Sequence, residues 1–242
     1  MENWSSSHRQ FPIPNRPWVM KQSWMNLGFI HWPVPIHHIE SMIPAELTLD
    51  TFEGQAWISL VPLRIVHMHA RFVPAFGFHG FPEVNLRTYV VRDGRPGVFF
   101  FRLDAEHRLV AALGRRFLHV PYHDTSIHVD RQDEWIHYRL HPSGLSLSSS
   151  QLEFTIRPVS DVFESSKHSI DSWLTDRYCF YTTFRGRVYR GDIHHGPWAL
   201  QTAEVAFHIS SALVDYGFGS SQPVLAHFSR QQEVQVWPLT RS

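Results

Sequence analysis

Glu83, Asn85, Arg87 and Tyr89 fall on alternate positions of the run 83–92, whose intervening residues are Val84, Leu86, Thr88 and Val90. Side chains two apart on a strand share a face, so one face would carry a carboxyl, an amide, a guanidinium and a phenol. Such a face is hard to bury without complete pairing or a wet cavity. Two chemistries fit it. In one, Glu83 works as acid or base while Arg87 holds an anion through paired hydrogen bonds. In the other, Glu83 and Arg87 form an ion pair that fixes strand register. Polar residues also interrupt apolar structure at His31-Trp32-Pro33, from Arg115-Arg116 to Pro121-Tyr122, at Asp176-Arg177-Tyr178 and at His195-Gly196-Pro197-Trp198. An imidazole beside an indole suits a flat or carbonyl-bearing ligand, although His195 and Trp198 read equally as loop packing. Arg177 reads as an ion pair with Asp176 or as a ligand contact, and Arg115 and Arg116 as cations at a helix C-terminus.

Other chemistries lack their residues. The chain has no G-x-S-x-G elbow, G-x-G-x-x-G fingerprint, phosphate loop, H-E-x-x-H or C-x-x-C. His37-His38, His67-Met68-His69 and His194-His195 have no carboxylate or further histidine at an interpretable spacing, so no metal is expected. No cofactor is expected either. The single cysteine, Cys179, sits among Tyr178, Phe180 and Tyr181 and reads as a small buried hydrophobe. One cysteine excludes an internal disulfide and points to a reducing compartment. Lys21 and Lys167 are the only lysines, so a mechanism needing a neutral amine has two candidates. With 22 basic and 22 acidic residues the formal charge is +0, which gives no long-range field to collect nucleic acid or an anionic membrane. No basic leader and no long apolar run is visible, so the expected location is the cytoplasm.

The elements that must position these residues are mostly strands. A turn at Glu53-Gly54 predicts a hairpin of 47–50 with 55–66, and Gly94-Arg95-Pro96-Gly97 predicts another that joins 83–92 to 97–103. The apolar run Val98, Phe99, Phe100, Phe101 suits a strand buried on both faces. Asp104 is a candidate cap for a helix over 105–117 that ends before Pro121. Strands are expected over 123–129, 135–141, 151–157, 177–183, 185–190, 224–229 and 233–237. Short helices are expected over 36–42, 169–176 and part of 206–216. Many strands with few peripheral helices argue for an antiparallel sheet or barrel. The 242 residues fit one domain, residues 1–242, with 1–15 expected to be a loosely ordered arm and 143–150 a serine-rich loop.

Those polar segments, with Arg16-Pro17-Trp18-Val19-Met20 and Gly54-Gln55-Ala56-Trp57, resemble the YqjF-like family of uncharacterised bacterial proteins from about residue 16 to 238. The resemblance implies the acetoacetate decarboxylase-like superfamily: a mainly β (α+β) fold, an antiparallel cone-shaped β-barrel with flanking strands and a few short peripheral helices. In acetoacetate decarboxylase a segment G-R-E-I-W-G-F-P-K-K supplies the Schiff-base lysine directly after the proline. The similar stretch here reads Gly114, Arg115, Arg116, Phe117, Leu118, His119, Val120, Pro121, Tyr122, His123. Tyr122 and His123 stand where both lysines would be. A Schiff base needs an amine, so imine chemistry is not expected. Phe81-Pro82-Glu83-Val84 is similar to the Y-x-E-V context of that enzyme's active-site glutamate, and this resemblance brings Glu83 toward Tyr122.

These readings converge on a polar small-molecule pocket inside a β-barrel. Glu83 and Tyr122 are its candidate catalytic residues, and Asn85, Arg87, Tyr89, Arg116, His123, Arg177, His195 and Trp198 its candidate ligand contacts. The expected partner is a small molecule bearing a carboxylate or carbonyl, with no nucleic acid and no membrane, and a homo-oligomer is left open. Two alternatives stand beside a binding protein. One is a lyase- or hydrolase-type enzyme with Glu83 as acid/base and Tyr122 and Arg87 stabilising an anion. The other is a structural or interaction protein with an ion-paired strand.

Overall fold

β-Branched and aromatic residues dominate the long segments, and the computed structural model builds nearly all of them into one thirteen-stranded sheet. It describes residues 6–71, 80–142, 151–214 and 222–242. The strands are β1 (Met20–Val34), β2 (Thr48–Leu49), β3 (Ala56–Ala70), β4 (Phe81–Arg92), β5 (Arg95–Ala105), β6 (Tyr122–Gln132) and β7 (Trp135–Pro142). After them come β8 (Leu152–Pro158), β9 (Cys179–Phe184), β10 (Arg187–His195), β11 (Gln201–Ile209), β12 (Leu225–Val236) and β13 (Thr240–Arg241). The helices α1 (Ile36–Ile39), α2 (Arg108–Leu113), α3 (Ile170–Thr175) and α4 (Ser211–Val214) are short. No helix among the described residues is long and apolar enough to cross a membrane.

The pairings close on themselves. β1, β3, β4, β5, β9, β10 and β12 form a ring, because β4 pairs with β5 and β10 pairs with β12 in addition to the linear order. A second circuit leaves β5 through β6, β7, β8 and β11 and returns at β12. β1, β3 and β4 are therefore a wall common to both. On one side of it, Ile30, Trp32, Ile58, Leu60, Val84 and Leu86 pack against Ile127, Tyr138, Phe154 and Ile156 as a filled apolar core. The opposite side of β4 carries Glu83, Asn85 and Arg87.

The predicted β4–β5 hairpin is present and antiparallel, but its turn is the two residues Asp93 and Gly94, with φ of 51° and 71°, between paired Arg92 and Arg95. Positive φ at both central residues is the turn that matches strand twist, and glycine takes it without strain. Pairing is antiparallel throughout except where β5 runs parallel to β6 and to β9. The phenylalanines of β5 are only half-buried, whereas Val98 and Leu103 are buried.

Other expectations need correction. Glu53 and Gly54 do form a turn, closed by Phe52 and Gln55, yet β2 pairs with β4 and not with β3. The helix expected over 105–117 is α2 followed by a π-helical turn, Gly114–Leu118. Its cap is His107, whose side chain accepts from Val110 N, because Asp104 is held in β5 by Arg102 and Thr125. Of Leu109, Val110, Leu113 and Phe117, which fall at helical spacing on this stretch, only Val110 is buried, while Leu109 and Phe117 are 55% and 63% exposed. The two strands expected near the C-terminus are the single strand β12, while the short helix expected within 206–216 is α4, which follows the end of β11 at Ile209. Strands β1 and β11 were not anticipated.

Within the stretch expected to be an arm, His8 and Arg9 reach β10. His8 Nε2 lies 3.0 Å from His195 O, Arg9 donates to Ile193 O at 2.9 Å, and Arg9 covers the Tyr178 ring. Residues 1–5 and the serine-rich 143–150 lie outside the described residues.

Candidate functional site

Every strand of the smaller ring sends side chains into one cavity of about 100 Å³. Its walls are mostly apolar, with Leu27 and Phe29 from β1, Val61 and Leu63 from β3, Phe100 and Leu103 from β5 and Phe180 from β9. That volume holds a few waters or a small organic molecule. Glu83, Asn85, Arg87, Tyr122, Arg177, His195 and Trp198 also line it.

Alternation along β4 turns Glu83, Asn85 and Arg87 inward. The Tyr122 hydroxyl donates to Glu83 Oε2 at 2.6 Å. Three features hold Tyr122 there. β6 begins at this residue, Arg115 in the π-turn donates to Tyr122 O at 2.9 Å, and Gly114 lies against the ring. A Cβ on Gly114 would stand 2.4 Å from Tyr122 Cδ2 and Cε2, so the close approach requires glycine. Burial raises the Glu83 carboxyl to about 7, outweighing the hydrogen bonds from Tyr122 and Asn85 that favour its ionised form. Burial, followed by the charge of Glu83, pushes the Tyr122 phenol well above its ordinary value and leaves it a donor.

No ion pair joins Glu83 to Arg87. Arg87 donates to Leu174 O at 3.4 Å and its guanidinium carbon lies 5.9 Å from the centre of the Tyr89 ring, while its buried Nε has no partner. Burial lowers its pKa from the usual guanidinium range. Arg177 pairs with Asp50 and not with Asp176, which accepts from Ser172 Oγ at 2.8 Å. Arg177 Nε donates to Trp173 O at 2.7 Å, its guanidinium lies over the Trp173 and Tyr89 rings, and its buried Nη2 has no partner. Each of these two lining arginines thus keeps one buried guanidinium nitrogen, Arg87 Nε and Arg177 Nη2, with no acceptor among the described residues. Asn85 Oδ1 is likewise without a partner.

His195 belongs to β10 and not to a loop. Its Nδ1 lies 2.7 Å from Gly196 O, its ring is 4.5 Å from that of Trp198, and burial drives its pKa to about 3, so it is neutral. Trp198 donates to Thr175 O at 3.0 Å and is equally fixed.

Three predicted contacts lie outside the cavity. His123 is exposed, because the alternation that turns Tyr122 inward turns its neighbour outward. Arg116 is exposed beside Phe117. Tyr89 is fully buried behind Arg87, with its hydroxyl 2.5 Å from Ser59 Oγ. Neither lysine lines the cavity: Lys21 lies over Trp18, and Lys167 is exposed. Reading the sequence missed Gln22, Trp24, Leu27 and Phe29 as lining residues, since β1 was not recognised as a strand.

The profile of DUF2071, described as an uncharacterized conserved protein, matches residues 21–233. The uncharacterized protein YqjF of Bacillus subtilis strain 168 is 38% identical over 236 residues, covering 96% of each chain. Among solved structures, an acetoacetate decarboxylase-like enzyme from Sphingomonas wittichii RW1 matches with a TM-score of 0.64 at 10% identity, over 97% of this chain and 98% of that one. Acetoacetate decarboxylase from Legionella pneumophila gives 0.64 at 12% identity, over 96% and 92%. The enduracididine biosynthesis enzyme MppR, complexed with pyruvate, gives 0.63 at 12% identity, over 93% and 91%. At these identities the likeness establishes the acetoacetate decarboxylase-like fold and nothing finer.

Proposed function

The chain, 38% identical to YqjF, belongs to the DUF2071 family of uncharacterized conserved proteins, and we propose that it takes up a small carboxylate with an adjacent carbonyl, without forming an imine. One observation carries the reading. Arg87 and Arg177 line the cavity, their Nε and Nη2 are buried and lack acceptors among the described residues, and leaving charged donors unsatisfied is costly unless a ligand or water completes them. A carboxylate supplies two acceptor oxygens in the geometry a guanidinium prefers. The carbonyl end then faces Glu83 and Tyr122. A fold neighbour complexed with pyruvate supports this class of ligand, and Tyr122 in place of the reactive lysine supports non-covalent uptake.

Titration of the purified protein with pyruvate, followed by borohydride and intact mass, tests both halves. Saturable binding without a mass adduct is expected, with Arg87→Ala weakening it by about 1 to 3 kcal/mol. A stoichiometric adduct on Lys21 or Lys167 sinks the second half, and failure to bind sinks the first.

A second reading is favoured by the Glu83 carboxyl at about 7 beside a phenol donor. A carboxyl titrating at neutrality can take a proton from the carbon next to the ligand's carbonyl, and the Arg87 and Tyr122 donors can hold the enolate formed. This makes the site an enzyme of proton-transfer chemistry. The unpaired polar lining weighs against the third reading, a structural protein with an ion-paired strand.

A further inference from the structure

The last carbonyls of a helix find no amide of the helix to bond, and they are ordinarily completed by the backbone that follows or by water. At the end of α3 three successive carbonyls are completed by side chains instead. Trp173 O accepts from Arg177 Nε at 2.7 Å, Leu174 O from Arg87 Nη2 at 3.4 Å and Thr175 O from Trp198 Nε1 at 3.0 Å. The donors come from the segment after α3, from β4 and from the segment between β10 and β11, and all three line the cavity. Carbonyls of one turn point the same way along the helix axis, so the three donors gather at one end of α3. Leu174 and Thr175 are buried, which keeps water from competing for the last two acceptors.

Whatever fixes α3 therefore fixes three parts of the cavity wall together. Ser169 caps the first turn, accepting from Ser172 N at 3.2 Å, and this bond stays within the helix and its cap. The hydroxyls of Ser172 and Thr175 also bond locally, to Asp176 Oδ2 and Asp171 O. Asp171 reaches further. Its Oδ1 lies 3.0 Å from Nε2 of the buried His227 on β12, and because a carboxylate only accepts, the imidazole donates. Among the described residues this is the one side-chain hydrogen bond that ties α3 to a strand.

We propose that the last turn of α3 is a common mount for Arg87, Arg177 and Trp198, and that Asp171, by fastening α3 to His227 of β12, is a positioning residue for a cavity it does not line. Groups that hold a small ligand must stand within about 0.5 Å of their places, and here one turn of helix sets the places of three. The effect on affinity rests on the reading of the two arginines as the carboxylate-holding pair; the mount itself does not.

Nitrogen-15 NMR of the Trp198 indole N–H and the Arg177 Nε–H reads the mount directly and needs no ligand, with Trp198→Phe and Arg177→Lys identifying the two resonances. In Asp171→Ala both resonances are expected to move, and pyruvate binding to weaken about 3- to 10-fold. The amide oxygen of Asp171→Asn can still accept from His227, so this variant is expected to return both resonances and to bind pyruvate within about 2-fold of wild type. A substitution that merely loosened the fold would not be rescued in this way. Resonances unmoved in Asp171→Ala, or an Asp171→Asn variant that behaves as Asp171→Ala, overturn the proposal. Should wild-type protein not bind pyruvate, the carboxylate reading fails, and the two resonances still decide the mount.

Discussion

Glu83 is the residue whose behaviour separates binding from catalysis. Its carboxyl, raised to about 7 by burial, is neutral below that pH and charged above it. A neutral Glu83 does not repel a carboxylate, so pyruvate should bind more tightly as pH falls through about 7. A base must be ionised, so any exchange of pyruvate methyl protons with deuterated solvent should run faster as pH rises through the same point. Glu83→Gln should flatten the first profile and abolish the second. Tyr122→Phe removes a bond that favours the ionised form, and both midpoints should move upward. NMR titrations with pyruvate in light and heavy water give both profiles, and midpoints unmoved in Tyr122→Phe would detach Tyr122 from Glu83. At this scale alternation alone was enough to gather Glu83, Asn85 and Arg87. Tyr122 came from a resemblance, because nothing in a lone tyrosine after a proline says that it meets a carboxyl from another strand. His123 and Arg116 were gathered by the same resemblance and face elsewhere, since a matched segment does not say which of its side chains points inward.

Elements were harder to read where strands change phase. β1 turns Met20, Gln22 and Trp24 into the cavity and then Leu27 and Phe29, a switch from even to odd positions. The switch falls at Asn26, which has φ of 51°, within a register shift against β3. A bulge of this kind breaks the period of two, so a search for alternation passes over a fifteen-residue strand. His67, with φ of 48°, interrupts β3 in the same way. The π-turn after α2 was equally hidden, and it supplies the glycine under Tyr122. Gly114→Ala should push the ring from Glu83 and destabilise the fold by about 1 to 3 kcal/mol, as overpacking does. Urea denaturation measures the loss. A crystal structure of the variant with the 2.6 Å Tyr122–Glu83 bond intact would contradict the argument.

Acid should unfold the whole molecule early. Burial holds His194 at about 4 and His195 at about 3 against an ordinary 6.5, and it lowers His31 and His227 as well. Below 6.5 the unfolded chain takes up protons that the folded one refuses, and stability falls by about 1.4 kcal/mol per pH unit for each such imidazole. Glu83 works in the opposite sense, gaining stability as pH drops from about 7 toward 4.5, and burial raises Asp176 too, but these two carboxyls stand against four histidines. The urea midpoint should therefore drop between pH 7 and pH 5.5, and an unchanged midpoint would refute this account. The mainly β class, the β4–β5 hairpin and the likeness to the decarboxylase fold were legible in the sequence. The two circuits with their common wall were not, because pairings such as Met20 with Val236 depend on contacts that no local pattern encodes.

That pairing also sets an order of events in biosynthesis. β1 leaves the ribosome among the first strands and β12 among the last, and the smaller ring cannot close until both are free. Until then β1 exposes an unpaired edge, the kind of surface that recruits other chains. Contacts so distant along the chain make closure slow. The filled core, whose β6, β7 and β8 are neighbours in sequence, can gather earlier. The cavity is the last feature of the molecule to exist, and a nascent chain arrested before β12 would carry Glu83, Arg87 and Tyr122 with no enclosure around them.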